Sequence, residues 1–229
     1  MADLLERRIV AGDLVSHDRL ASERTIADRF GLSRMTARQA VELLVRRGVV
    51  YRRPGSGTFV SPPRVSHTLE RLEGFSDQMR RQGIRPAGRV LDMRCTARID
   101  PAARAALELD DEEQAWVVRR VRFGDAEPLL LETFWVPRAV CPELRRRDLS
   151  EGSLYDVLRG RHGIDPMTAH TSLEPAALDP ADARRLAARP GAPAILFTRT
   201  TRAADGRPVE FARDLYRGDR ARFELTLHA

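Results

Sequence analysis

Between Ser22 and Gly48 the chain writes two helices with almost nothing between them, and this segment leaves it the fewest ways to fold. Ser22 is a good N-cap residue, because its hydroxyl can accept from an amide of the first turn. ERTIADRF then runs to Gly31 with Ile26, Ala27 and Phe30 on one side. Only Leu32 separates that glycine from a second cap, Ser33. The run from Ser33 to Gly48 places Ala37, Ala40, Val41, Leu44 and Val45 at the spacings of one apolar stripe, with Arg34 and Arg38 one turn apart and off it.

What flanks the pair completes a known pattern. LLERRIVAGD carries Leu4, Leu5 and Ile9 at near-helical spacing and stops at Gly12, which predicts a short first helix. After Gly48 the period changes to that of strands. VVYRR and TFVS are joined by Pro54-Gly55-Ser56-Gly57, a hairpin whose glycines allow positive φ. Three helices and a hairpin over residues 1–60 describe a winged helix-turn-helix.

Residues 61–68, SPPRVSHT, contain two adjacent prolines that cannot join a sheet interior, so they are expected to form a linker to a second domain over 69–229. There, helical patterns (69–82, 101–109, 153–162 and 180–188) alternate with strand-like runs WVVRRVRF, LLLETFWV, AILFTRTT and PVEFARDLY. Turns at Gly124-Asp125 and Asp205-Gly206 predict an α+β domain with a mainly antiparallel sheet. A chain of 229 residues with 42% apolar residues can supply two such cores.

Charge separates the two parts. All 39 basic residues are arginines; residues 1–66 carry +5 and residues 67–229 only +1, so the N-terminal part is the candidate for a polyanion. Cys95 and Cys141 lie 46 residues apart without metal-ligand spacing, and no secretory segment or long apolar span opens the chain. A reduced cytoplasm is expected, with no membrane partner, metal or cofactor. The five histidines are scattered, and GxSxG, HExxH, GxGxxG and Walker patterns are missing, so no catalytic residue and no enzyme is expected.

In a helix-turn-helix the second helix presents its N-terminal side chains to base edges while its amides face phosphate. Those residues are Ser33, Arg34, Met35, Thr36, Arg38 and Gln39. Arginine can bridge guanine O6 and N7, Gln can pair with adenine, and Ser or Thr can hold phosphate. Arg24 on the preceding helix and Arg52 and Arg53 before the hairpin add to the basic face, which is otherwise readable as a solvated helix surface. The stretch RLASERTIADRFGLSRMTARQAVELLVRRGVVYRRPGSGTFV resembles the DNA-binding domain of the GntR family of bacterial regulators over residues 4–60. The resemblance implies that Arg24, Arg34 and Arg38 contact bases or adjacent phosphates, that Ser33 and Thr36 hold phosphate, and that Gly55 reaches the minor groove. Ala21 stands where that family usually has proline, and Ser16-His17 where it has Pro-Gly.

The second domain resembles the UTRA effector domain of the HutC subfamily, whose fold is similar to chorismate lyase, through GFSDQMRRQG, RRVRFGDAEPLLLETFWVP, DLSEGSLYDVL and DGRPVEFARDLYRGDRARFEL. Arg120 and Arg122 alternate along one strand and so project from one face, where two guanidiniums repel unless an anion joins them. The competing reading pairs them with Glu132 and Glu210 as a structural network. The resemblance implies that Arg120, Arg122, Ser76 and Ser153 hold a phosphate or carboxylate, while Glu132, Glu210 and Tyr216 contact the rest of the ligand. Trp135 stands where the family often has tyrosine. By this resemblance the chain is a homodimeric transcription regulator, by analogy a repressor. It would bind palindromic double-stranded operator DNA and respond to a small anionic effector of the sugar-phosphate or carboxylate kind. A protein that merely coats chromosomes would have no use for a nearly neutral second domain.

Overall fold

Both serine caps form. In the computed structural model, which describes residues 1–53, 55–62 and 64–227, Ser22 Oγ accepts the Thr25 amide and Ser33 Oγ the Thr36 amide, each at 3.1 Å. They start α2 (Glu23–Phe30) and α3 (Arg34–Arg46), which follow α1 (Ala2–Val10). The apolar stripes meet as expected: Ile26, Ala27, Ala37, Val41 and Leu44 are buried with Leu5 and Leu20. Strands β1 (Val50–Arg53) and β2 (Gly57–Val60) pair antiparallel from Val50↔Val60 to Arg53↔Gly57. Pro54 of the expected hairpin, Pro63 of the expected linker and His228 lie outside the described residues.

The chain divides into two units, residues 1–65 and 66–229. The expected linker 61–68 is therefore not irregular throughout. Its last four residues form β3 (Val65–Thr68), whose partner in a two-stranded ribbon is β10 (Ala221–Glu224), and the Leu69 amide continues the ribbon by donating to Glu224 O at 3.0 Å. Val65 and His67 are buried and alternate with half-exposed neighbours. The prolines forbid sheet pairing only where they stand, and they obscure a strand that starts two residues later.

The second unit is built on a six-stranded antiparallel sheet in the order β4-β5-β6-β9-β8-β7. The strands are β4 (Pro86–Thr96), β5 (Ala115–Gly124), β6 (Glu127–Pro137), β7 (Pro166–Ala177), β8 (Pro193–Ala203) and β9 (Pro208–Arg217). One face packs Val118, Phe134 and Val136 against α6 (Arg146–Glu151) and α7 (Leu154–His162). The other packs Val117, Trp135 and Phe211 on α5 (Pro101–Ala106), and Val121 and Leu131 on α8 (Pro180–Arg185). With both faces covered, β6 reads as a mostly apolar run rather than as an alternation. The helix expected over 69–82 is shorter, α4 (Phe75–Arg81), because Leu69 belongs to the apolar cluster of Phe75, Tyr216 and Phe223.

The β5–β6 turn is shifted by one residue from its expected place. Asp125 (φ 48°) and Ala126 (φ 69°) occupy its centre, as in a type I′ hairpin. Gly124 serves instead by being small: a Cβ there would lie 2.8 Å from both Ile84 Cγ2 and Leu129 Cδ1.

Candidate DNA-binding surface and effector site

The first turns of α3 present Arg34, Met35, Thr36, Arg38 and Gln39 to solvent while Ala37 and Ala40 face the core. Ser33 Oγ and Thr36 Oγ1 share one hydrogen bond at 2.9 Å, which leaves one hydroxyl proton of the pair for a phosphate oxygen. Arg38 Nε donates to Glu42 Oε1 at 3.0 Å, but both side chains are exposed, so the pair gives way easily to a stronger anion. Arg24 is exposed one helix earlier, with Asp28 3.8 Å away. On the wing, the Arg53 guanidinium lies over Tyr51 and Phe59, 5.5 and 5.3 Å from their centroids, and Gly55 is exposed with open space around it. Arg52 differs from its neighbour, since its Nη2 donates to Glu23 Oε1 at 2.9 Å and ties the wing to α2.

Strand register brings the second constellation together. Arg120 stands opposite Glu132, Glu132 opposite Asp214, and Leu130 opposite Tyr216, while Thr201 stands opposite Glu210. Directly opposed residues share a face, so these side chains and Arg122 project from one side of the sheet. Arg120 Nε is ion-paired with Glu132, and its Nη1 donates to Leu149 O at 2.7 Å and Gly152 O at 3.3 Å. Arg122, only 1% exposed, donates to Ser76 Oγ at 2.7 Å and to the same Gly152 O at 3.2 Å, with its guanidinium 4.6 Å from the centre of the Phe75 ring.

Half of the structural-network reading is therefore realised. Arg120 has its carboxylate. Glu210, however, is taken by Arg199 (3.1 and 3.2 Å), Thr201 Oγ1 (2.8 Å) and the Tyr155 hydroxyl (3.1 Å). Among the described residues no carboxylate comes within ion-pairing distance of Arg122, whose donors meet only neutral oxygens. Burial, reinforced by the Arg120 charge, brings its pKa down to about 9, and it remains a cation at neutral pH. Ser153 caps α7 by accepting the Tyr155 amide at 3.2 Å. It lies against the start of α4, where a Cβ on Gly74 would be 2.7 Å from its Oγ. Arg120 and Arg122 thus converge on the Gly152 carbonyl, with Ser76 on the second guanidinium and Ser153 next along the chain.

Beside them opens a cavity of about 620 Å³. Of the expected effector contacts, Glu132 and Tyr216 line it, whereas Ser76, Arg120, Arg122, Ser153 and Glu210 lie outside its lining. The lining also includes residues that the sequence reading did not single out, among them His67, Phe197, Arg199 and Asp214. Asp214 continues the alternation of Glu210 and Tyr216 along β9 and could have been found by counting in twos. His67 was hidden in the supposed linker, and Arg199 faces the site only because of the β8–β9 register, which no local pattern fixes. His67 is buried with Nδ1 2.9 Å from Gln78 Oε1, and burial holds its pKa near 4. It is neutral, so Nδ1 carries the donated proton and Nε2 is an acceptor without a partner. Trp135 lies on the opposite face, tilted over Phe211 at 5.6 Å and packed toward α5, so its difference from tyrosine does not bear on this cavity. No helix among the described residues is long and apolar enough to cross a membrane.

Comparison with known proteins matches both units. The family described as bacterial regulatory proteins, gntR family, matches residues 1–60, and the UTRA domain matches residues 81–222. The chain is 35% identical over 219 residues to the HTH-type transcriptional repressor NagR of Bacillus subtilis, covering 96% of this chain and 89% of that protein. It is 28% identical over 224 residues to a histidine utilization repressor of Pseudomonas putida, covering 96% and 88%. The crystal structure of PhnF from Mycobacterium smegmatis superposes with a TM-score of 0.71 at 28% identity, covering 100% of this chain and 99% of that one.

Proposed function

Because the chain belongs to the gntR family of bacterial transcription regulators and carries the UTRA domain behind its DNA-binding unit, we propose that it is a cytoplasmic, homodimeric repressor released from its operator by a small anionic metabolite. Its partner is operator DNA and its relatives are regulators rather than enzymes. Arg34, Arg38 and Gln39 read base edges in the major groove; Ser33, Thr36 and Arg24 hold phosphates; Arg53 and Gly55 carry the wing toward the minor groove.

The observation that carries the effector reading is Arg122, a buried cation that donates to Ser76 and the Gly152 carbonyl and has no carboxylate within ion-pairing distance among the described residues. A phosphate or carboxylate supplies the missing charge and accepts from both guanidiniums in place of the Gly152 carbonyl. Releasing that carbonyl frees the junction of α6 and α7, and a grip on Ser76 draws on α4. Coupling of this type is typically about 1–3 kcal/mol, or roughly 5- to 150-fold in operator affinity. The test is operator release followed by fluorescence anisotropy, with wild type and an Arg120→Ala, Arg122→Ala double variant titrated with a panel of sugar phosphates and small carboxylates. The double variant is expected to bind operator and ignore the compound that releases wild type. If it responds at the same concentration, the anion site is elsewhere.

A further inference from the structure

We propose that the cavity beside Glu132 receives an amine, so that the effector is an anion carrying a positively charged nitrogen whose counter-charge is Asp214. The proposal rests on the anion-site reading above for the other end of the ligand.

Asp214 stands directly opposite Glu132 on neighbouring strands, an arrangement in which two carboxylates repel. Glu132 is compensated by Arg120. Asp214 is not compensated in the same way: its nearest cation is Arg199 Nη1, 3.9 Å from Oδ2, and that guanidinium already donates twice to Glu210. Asp214 is 2% exposed, lines the cavity, and its Oδ1 makes no hydrogen bond. Burial, with the Glu132 charge adding to it, holds its carboxyl well above the usual carboxylate range, as expected of an acid still waiting for a cation.

A second observation comes from a different element. His67, also 2% exposed and also lining the cavity, offers Nε2 as an acceptor without a partner. Both unmet groups are thus acceptors, and an ammonium brings three donors and no acceptor, whereas a hydroxyl brings one donor. The walls suit the charge as well. Tyr216 and Phe223 pack at 5.0 Å and Phe197 and Phe223 at 5.5 Å, and all three rings line the same cavity. Aromatic faces attract a desolvated cation. Arg122, beside the cavity, has no ion-paired carboxylate among the described residues, and Asp214, in its lining, shares its one nearby cation with Glu210, which is the charge pattern of a ligand that carries both signs.

The simpler reading makes Asp214 a protonated space-filler, and the two readings separate on ligand chemistry. Calorimetric titration of the full chain would compare ω-aminoalkyl phosphates of two to six carbons with the alkyl phosphates of the same lengths, and with simple alkylamines. The amine is expected to tighten binding at least tenfold at the best-fitting length, and Asp214→Asn to close that gap. His67→Phe, which keeps the ring stack, should narrow it and serves where the Asn variant does not fold. Equal affinity of the two phosphate series in wild type, or an amine preference that persists in folded Asp214→Asn, overturns the proposal. If alkylamines bind in an Asp214-dependent way while no phosphate binds, the anion reading fails and the amine site stands. If nothing in the three series binds, both fall.

Discussion

His67 shows how one buried ring ties stability to pH. In the unfolded chain it protonates near the ordinary histidine value of 6.5, and in the folded protein burial lowers that to about 4. The stability contributed by burying the neutral ring is therefore complete above pH 6.5 and is lost as pH falls toward 4, because in that window the unfolded chain holds more protons. The loss is about 2 kcal/mol by pH 5 and about 3 kcal/mol in all. Urea unfolding between pH 7.5 and 4.5, without ligand, should give a steeper fall for wild type than for His67→Phe. Equal slopes would mean that the ring is not held neutral. Arg122 is the complementary case, a residue whose burial leaves it charged. Its cost is tolerable because Ser76, Gly152 and the Phe75 ring share the guanidinium.

Among the elements, α3 is the one whose sequence says most. Its cap, stripe and exposed arginines are all local features, set by spacings of three and four residues, and each is realised as read. Arg38→Ala in that helix is expected to cost about 1–3 kcal/mol of operator affinity and to relax preference at one base pair, since a bidentate arginine contact carries discrimination of that size. Competition binding with single-base operator variants checks it; a uniform loss across all variants would assign Arg38 to phosphate instead. The strands were less legible. β4 and β7 went unread because β4 carries a bulge between Val90 and Asp92, and because β7 is an edge strand exposed at most positions, with no buried row to generate a period. β3 was lost beside its prolines. The candidate effector site was legible where one strand lines up its own residues, as with Arg120 and Arg122. It was not legible where the partner depends on pairing between distant strands, which is why Glu210 found Arg199 and Thr201 rather than Arg122.

At the scale of the whole molecule, a single recognition helix reaches too few bases for selective binding, so the proposed homodimer is expected to appear both free and on DNA. Sedimentation at micromolar concentration should give twice the chain mass, and a footprint should show two half-sites related by a two-fold axis. A monomer under both conditions would contradict it. The strand order of the second unit also has a bearing on how the chain is made. β9 lies between β6 and β8, so the β4-β5-β6 meander and the β7-β8 hairpin have no common edge until residue 217 exists. A ribosome adding roughly 5–20 residues per second needs several seconds to go from the end of β6 to the end of β9, with the edges of both half-sheets unpaired meanwhile. The residues before 66 can fold during that interval. A nascent chain cut short before β9 would therefore carry the whole N-terminal unit but two half-sheets with open edges, and would lack Glu210, Asp214 and Tyr216 of the candidate effector site.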